Sequence, residues 1–263
     1  RKRSDKRILF MFEVHVLASG SDGNCTVIEF DDEAVMIDAG ISCRRIQGFM
    51  DQEGYDRKNL KALLITHEHS DHIAGAGATA RKMDIPIYCN RPTYDASNFG
   101  NVRYNEIKTM NSFMIGGINI TPLPTSHNAV EPNAFLVEED GKKVLLATDT
   151  GVLTFQVEQA LAESNIAVIE SNYDKKMLAE GPYPIYLKKL IGSDHGHLSN
   201  VDCAFAIKRT MDERRKIFLA HLSKTNNTPD IAREAVSEIT GIKRLNIDCL
   251  EFPGDTRTIR LKG

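Results

Sequence analysis

Three of the chain's eight histidines fall within six residues, in the run His67-Glu68-His69-Ser70-Asp71-His72. In an extended segment, residues two apart project to the same side, so His67 and His69 are placed to bind one ion. The turn into a following helix directs Asp71 and His72 towards a second ion. An isolated histidine is usually a hydrogen-bonded core or surface residue, but a cluster at this spacing predicts a metal site.

Two adjacent ions need more ligands than this run offers, and the rest of the sequence supplies candidates at strand ends. A buried strand predicted over residues 62–66 leads directly into His67. His127, Asp149 and His221 each follow a further predicted strand. We therefore expect all of these side chains to meet at one edge of the fold.

The hydrophobic pattern predicts an α/β (α+β) fold, a four-layer αββα sandwich of two sheets with helices outside, because strands outnumber the helices that connect them. The predicted helices cover residues 43–52, 72–82, 155–162 and 230–240, the last closed by Gly241. The other predicted strands cover residues 13–17, 25–30, 34–37, 85–88, 118–120, 134–138, 143–147, 166–170 and 217–220. We expect one domain over residues 11–263, preceded at residues 1–10 by a flexible basic segment or a cloning remnant.

Composition limits the class of protein. The net charge of -3 gives no general preference for nucleic acid, which leaves such binding to local sites. The five cysteines are scattered and odd in number, which favours neither a disulfide framework nor a thiolate zinc site. Since no apolar run approaches 18 residues, we expect no membrane association and a cytoplasmic protein.

The ordered motifs resemble the metallo-β-lactamase superfamily, beginning with Asp38-Ala39-Gly40 and spanning residues 38–221. The resemblance implies that Asp38 holds a ligand histidine by a hydrogen bond and that Asp149 bridges two metal ions. It implies the remaining ligands in two sets: His67, His69 and His127 for the first ion, and Asp71, His72 and His221 for the second. Asp149 stands where antibiotic-hydrolysing members carry a thiolate, which argues against β-lactam hydrolysis.

Three further segments, residues 17–25, 194–200 and 220–227, resemble the YycJ-like (WalJ) nuclease branch of that superfamily. This branch is linked to 5′-to-3′ DNA exonuclease activity in mismatch repair. The resemblance implies a nucleic acid partner, with DNA the expected substrate, and His197 as general acid. Residues assigned to substrate binding are Ser19, Ser21, Asn24, His195, Ser199 and Asn200, with Ser199 and Asn200 expected to be exposed. An ordinary glycine turn explains the Ser19–Asn24 loop about as well. His195 is an alternative to His197 as general acid or a phosphate-binding residue, and it is equally readable as a surface-loop residue.

The expected chemistry is hydrolysis of a phosphodiester by a hydroxide bridging two divalent ions, with Asp71 and Asp149 orienting it and His197 supplying the proton for the leaving oxygen. Nitrogen and carboxylate ligands suit zinc, and manganese or iron fits similar residues. A thioesterase or lactonase would use the same ligands, and an RNA-processing nuclease remains an alternative. So does a non-catalytic metal-bound module that binds nucleic acid or protein. The interval between Asp149 and His221 is too short for the inserted domain of β-CASP ribonucleases. The sequence does not determine the oligomeric state.

Overall fold

The computed structural model describes residues 12–52, 55–251 and 254–261. The predicted basic segment at residues 1–10 lies outside the described residues. Within the described ranges, no helix combines the length and apolar character needed to cross a membrane.

The described strands form two sheets of seven strands each. In chain order they are β1 (Phe12–Ala18), β2 (Cys25–Phe30), β3 (Glu33–Ile37), β4 (Leu60–Leu64), β5 (Ile87–Cys89), β6 (Tyr104–Glu106), β7 (Phe113–Ile115), β8 (Ile118–Pro124), β9 (Asn133–Glu139), β10 (Lys142–Ala147), β11 (Ile166–Glu170), β12 (Lys216–Ala220), β13 (Ile247–Asp248) and β14 (Arg257–Leu261). The first sheet has the order β14-β1-β2-β3-β4-β5-β6 and the second β13-β12-β11-β10-β9-β8-β7. Both are mixed, since β3 to β6 and β10 to β13 run parallel while the other neighbours pair antiparallel.

Helices cover the outer face of each sheet. In chain order they are α1 (Cys43–Gln52), α2 (Ser70–Ile73), α3 (Ala76–Met83), α4 (Arg91–Ala96), α5 (Phe155–Glu163), α6 (Lys175–Glu180), α7 (Ile185–Ile191), α8 (Asn200–Arg209) and α9 (Pro229–Thr240). Ile46 of α1 and Ala80 of α3 pack on the first sheet, whereas Val157 of α5 and Val236 of α9 pack on the second. A separate apolar core fills the space between the sheets. The predicted αββα sandwich is therefore confirmed.

Most predicted elements lie where the pattern placed them, and α1 and β11 have the predicted bounds. The helix predicted over residues 72–82 is wrong in one respect, because it is divided into α2 and α3 near Gly75. At Gly75 a Cβ atom would lie 2.0 Å from the carbonyl oxygen of Ile41, so only glycine lets the chain pass. The strand predicted to reach residue 66 ends at Leu64, which leaves Thr66 free to bond with side chains.

Candidate metal centre

The predicted ligands meet where strands of both sheets end. Asp38 follows β3, and the run beginning at His67 follows β4 in the first sheet. From the second sheet come His127 after β8, Asp149 after β10 and His221 after β12. The close backbone contact between the two motifs of the first sheet depends on Gly40, where a Cβ atom would lie 1.6 Å from the carbonyl oxygen of Asp71. The geometry thus brings together ligand candidates from four separate strands, with Asp38 beside them from a fifth.

Three of these residues turn the chain by adopting left-handed backbone conformations. The φ angle is 58° at Asp38, 55° at Asp149 and 56° at His221. Aspartate and histidine tolerate this region better than most residues, but it remains unfavourable for any side chain with a Cβ atom. Such strain at several strand ends that meet in one place is typical of a functional site.

The first group of donors contains His67, His69 and His127, whose ligand atoms lie within 4.8 Å of one another. The Nδ1 atom of His127 lies 2.9 Å from the carbonyl oxygen of Gly196 and donates to it. That bond leaves a lone pair on Nε2, which lies 3.3 Å from Nδ1 of His69. Burial lowers the pKa of His127, so the neutral imidazole needed for metal binding is favoured.

The second group contains Asp71, His72 and His221, again with ligand atoms within 4.8 Å of one another. Nδ1 of His72 donates to Oδ2 of Asp38 at 2.7 Å, which turns its Nε2 to within 3.5 Å of Asp71 Oδ2. Thr66 holds Asp38 in turn through its backbone N–H and its hydroxyl. A carboxylate behind a histidine is the usual way in which proteins fix the orientation of a ligating imidazole.

Asp149 lies between the two groups. Its Oδ1 is 3.6 Å from His127 Nε2, and its Oδ2 is 3.2 Å from His72 Nε2. The buried atoms Asp149 Oδ2, His67 Nε2 and His221 Nε2 have no hydrogen-bond partner. Burying polar atoms without partners is costly, and these nitrogen and carboxylate donors are those that zinc and similar divalent ions prefer. The residues present therefore fit a metal centre with two adjacent positions.

Glu170 is a site residue that the sequence analysis missed. It is the last residue of β11 and is completely buried. Its Oε1 accepts from Nδ1 of His197 at 2.8 Å and from Nδ1 of His221 at 2.9 Å. Its Oε2 accepts from the backbone N–H groups of Thr150 and Leu198. An acidic residue closing an apolar strand beside that of His221 was the signal available in the sequence.

His197 lies beside both groups, with its ring centroid 5.2 Å from those of His127 and His221. Its side chain keeps 22% exposure, so it is in reach of a molecule entering from solvent. Burial opposes the charged form, but the Glu170 carboxylate outweighs it and raises the pKa of His197. His195 instead points to the outer edge, exposed and 3.1 Å from Ser126 Oγ.

The segments assigned to substrate binding divide into exposed and buried residues. Ser21 is exposed, and Ser19 is half-buried with its Oγ accepting the backbone N–H of His221 at 2.7 Å. Asn24 is buried, and its Nδ2 lies 3.1 Å from His72 Nε2. It is thus turned towards the predicted metal ligands.

The expectation that Ser199 and Asn200 are exposed is wrong, because each keeps only 1% of its surface. Ser199 caps α8 by accepting from the backbone N–H of Asp202. The side-chain amide of Asn200 accepts from the hydroxyl of Ser171 and donates to Oδ1 of Asn227. Their polar groups are used within the fold, where they fix the segment that carries His197.

Comparison with known proteins identifies the class. The family described as the beta-lactamase superfamily domain matches residues 33–221, and the chain belongs to that family. Over 235 residues it is 37% identical to the exodeoxyribonuclease YycJ of Bacillus anthracis, which covers 85% of this chain and 87% of the relative. It is also 37% identical over 229 residues to the exodeoxyribonuclease WalJ of Streptococcus pneumoniae, covering 84% of this chain and 85% of the relative. The predicted resemblance to this branch is confirmed.

Solved structures support the fold. The metallo-beta-lactamase fold protein YhfI from Bacillus subtilis superposes with a TM-score of 0.72 at 16% identity, covering 94% of this chain and 99% of that one. The short form of human tRNase Z gives a TM-score of 0.64 at 15% identity, covering 93% and 98%. At these identities the likeness establishes the architecture alone.

Proposed function

We propose that this chain is a metal-dependent exodeoxyribonuclease. The observation that carries the proposal is the paired donor group with unpartnered buried nitrogen and carboxylate atoms, in a chain 37% identical to exodeoxyribonucleases over most of its length. Relatives of this identity and coverage support the same reaction class, hydrolysis of a phosphodiester in DNA.

In this proposal His67, His69 and His127 would hold one divalent ion and Asp71, His72 and His221 the other. Asp149, which lies between the two donor groups, would supply a further carboxylate. Bound ions lower the pKa of water and offset the charge on phosphate oxygens. We propose zinc or manganese, with iron fitting the same donors. Asp38 acts on this set through His72, whose Nδ1 proton it accepts.

The proton that the leaving oxygen needs comes from His197 in this proposal. Glu170 accepts from His197 Nδ1 and stabilises the imidazolium, so Nε2 is the nitrogen left to donate. The Glu170 carboxylate outweighs burial and raises the pKa of His197, which favours the protonated imidazole that a proton donor needs. Asp71 and Asp149 carry negative charge, since the histidines facing them outweigh burial and lower the pKa of both carboxyl groups. They are therefore placed to orient an attacking water.

Digestion of DNA and RNA strands labelled at the 5′ or the 3′ end tests the proposal. We expect the protein loaded with Zn²⁺ or Mn²⁺ to release mononucleotides from DNA, and the label position to report the direction, for which we propose 5′ to 3′. Efficient digestion of RNA without digestion of DNA would overturn DNA as the proposed substrate and favour RNA.

A bis-aryl phosphodiester and an aryl thioester assayed in parallel test the reaction class. Thioester turnover without phosphodiester turnover would overturn the nuclease proposal in favour of a thioesterase using the same ligands. A protein that binds metal and turns over neither substrate would favour a binding module.

A further inference from the structure

Helix α7 leaves large apolar side chains exposed to solvent, and none of its seven residues is buried. Ile185 and Tyr186 are 74% and 73% exposed, Leu190 is 43% exposed, and Lys189 is exposed as well. Residues three and four apart on a helix are neighbours, so these four side chains share one face. Together they form the α7 stripe.

The α7 stripe adjoins the proposed proton donor. Ile191, the last residue of α7, accepts the backbone N–H of His197 through its carbonyl oxygen at 2.9 Å. Gly196 packs so closely here that a Cβ atom on it would lie 2.1 Å from the carbonyl oxygen of Leu190. Every residue from 185 to 195 is at least partly exposed, and the side chain of His197 keeps 22% exposure. Exposed surface therefore runs along this segment from the stripe to His197.

The segment that carries the stripe is tied at both ends to segments of the candidate metal centre. At its start, the Tyr183 hydroxyl donates to Oγ1 of Thr225, in the loop after His221, at 3.1 Å. At its end, the Ser126 hydroxyl donates to the carbonyl oxygen of Asp194 at 2.7 Å. The stripe is thus held in place before a substrate binds, which lowers the entropic cost of binding.

The charges around the stripe are balanced. In residues 180–194, two lysines, Lys188 and Lys189, are matched by two carboxylates, Glu180 and Asp194. The Lys188 ammonium donates to the carbonyl oxygen of Ala179 at 2.6 Å, whereas in the part of the chain that the structure describes no ion pair involves Lys189. The segment as a whole neither attracts nor repels a polyanion, so a ligand has to be bound by the individual side chains.

Those side chains fit a single strand of DNA. Surfaces that bind single strands combine cationic groups for the phosphates with aromatic rings on which bases stack, whatever their sequence. Tyr186 supplies an exposed ring, and Lys189 supplies an ammonium one turn further along the same face. A protein docked on the stripe would compete with the substrate at His197, whereas the strand being cut has to lie there.

We propose that the α7 stripe binds the DNA strand beside the phosphodiester being cut, with a base stacked on Tyr186 and a phosphate bound by Lys189. The inference rests on the proposed nuclease function, because it takes the strand that reaches His197 as the occupant. Tyr186 precedes Ile191 by about 7.5 Å along the helix axis, roughly the rise of two stacked nucleotides. The base therefore belongs to a nucleotide close to the scissile phosphate.

Tyr186→Ala and Tyr186→Phe test the stacking contact. For each variant kcat/KM is measured on end-labelled single-stranded DNA and on a bis-aryl phosphodiester, which is too small to reach the stripe. We expect Tyr186→Ala to lower the ratio of the two values on the order of 10- to 100-fold, the usual contribution of one stacked base. Tyr186→Phe keeps the ring and should keep the ratio. Phe205→Ala, which removes an aromatic side chain 46% exposed on α8, is the matched control and should also keep it.

Lys189→Ala tests the phosphate contact through the salt dependence of binding. The affinity of the metal-loaded protein for a phosphorothioate-linked single strand is measured by fluorescence anisotropy over a range of salt concentrations. We expect the slope of log Kd against log salt concentration to fall by about 0.7, the value for one phosphate on a single strand. Lys208→Ala, at an exposed position of α8, should keep the slope. An unchanged slope in Lys189→Ala would overturn the phosphate contact.

The outcomes separate the stripe from the nuclease function. Cleavage of DNA with an unchanged ratio in Tyr186→Ala would overturn the role of the stripe alone. A dimer of the unaltered protein in sedimentation that Ile185→Ser converts into a monomer still cutting DNA normally would make the stripe an interface between copies, and would overturn the proposal as well. Failure of the metal-loaded unaltered protein to cut DNA would overturn the nuclease function, and the role of the stripe with it.

Discussion

Replacing Glu170 by glutamine tests whether one buried carboxylate controls both a proton donor and a proposed metal ligand. Glutamine has nearly the same shape, but it removes the charge and presents an amide N–H₂ group to one or both histidines. His197 and His221 now donate from Nδ1 to Oε1 at 2.8 and 2.9 Å. An imidazole that accepts an amide proton at Nδ1 carries its own proton on Nε2. For His221 this is the wrong tautomer for binding metal through Nε2. His197 loses the carboxylate that stabilises its imidazolium.

The expected loss of kcat/KM follows from the two hydrogen bonds that Glu170 accepts from His197 and His221. A hydrogen bond to a charged group contributes about 1.5–3 kcal/mol, so the loss of both costs about 3–6 kcal/mol. At 1.36 kcal/mol per factor of ten, kcat/KM should fall on the order of 10²- to 10⁴-fold. Loss of the hydrogen bond behind a ligating histidine typically weakens metal binding 10- to 100-fold, so the affinity for one ion should fall as well.

The assay measures kcat/KM on end-labelled DNA, whose leaving oxygen is an alkoxide that needs a proton, together with bound metal by elemental analysis and calorimetric titration. His197→Ala separates the two effects, because it should slow the reaction on the order of 10²- to 10⁴-fold while both ions stay bound. Glu180→Gln at an exposed position is the matched control and should change neither quantity. A Glu170→Gln protein with unaltered metal affinity and kcat/KM would refute the reasoning, and equal metal loss in His197→Ala would make His197 a ligand.

Three further predictions concern the metal ligands, pH and a close backbone contact. His69→Ala should lose both bound metal and activity, measured on the same preparation; unchanged metal content would remove His69 from the ligand set. Burial and neighbouring carboxylates raise the pKa of Glu139 to about 7. The folded state therefore resists ionisation of this group, and its stability falls as pH rises from the ordinary carboxyl pKa through 7. Glu139→Gln should accordingly have a higher Tm than the unaltered protein at pH 8 and an equal one at pH 4, and a difference that does not vary with pH would contradict this. Gly40→Ala should lower Tm and activity sharply because its Cβ atom would meet the carbonyl oxygen of Asp71. Gly48→Ala, where a Cβ atom meets nothing within 4 Å, should raise stability by up to about 1 kcal/mol because alanine favours the interior of a helix; equal Tm shifts in the two variants would refute the steric argument.

The sequence predicted those helices and strands in which apolar residues recur at one regular spacing along the whole element. The helix over Cys43–Gln52 has a regular apolar stripe, and the strand Ile166–Glu170 is a short apolar run, so local pattern was enough for both. The division between α2 and α3 was not predictable in this way. It depends on Gly75 meeting the carbonyl oxygen of Ile41, a contact between segments that are distant in sequence.

The same distinction, between local sequence pattern and contacts made only on folding, applies to the residues of the site. Histidine is rare in this chain, and a cluster of three at the spacing of His67, His69 and His72 predicts a metal site, so the ligand candidates stood out from sequence alone. Glu170 did not, because a terminal glutamate on a strand is common and its role depends on two histidines brought to it by folding. For Ser199 and Asn200 the prediction of exposure was wrong. Polar residues in a loop are expected at the surface, and the helix cap and amide hydrogen bonds that bury these two form only on folding.

The left-handed backbone conformations of the residues that follow three strands affect how this protein can be engineered. Asp38, Asp149 and His221 each hold a backbone conformation that costs roughly 1 kcal/mol, and glycine would adopt it without that cost. A selection for heat resistance alone would therefore favour glycine at these positions and discard the side chains that assemble the centre. Thermostable variants of this chain should be sought elsewhere on the scaffold, with catalysis scored in the same round, because here robustness and activity make opposite demands on the same three residues.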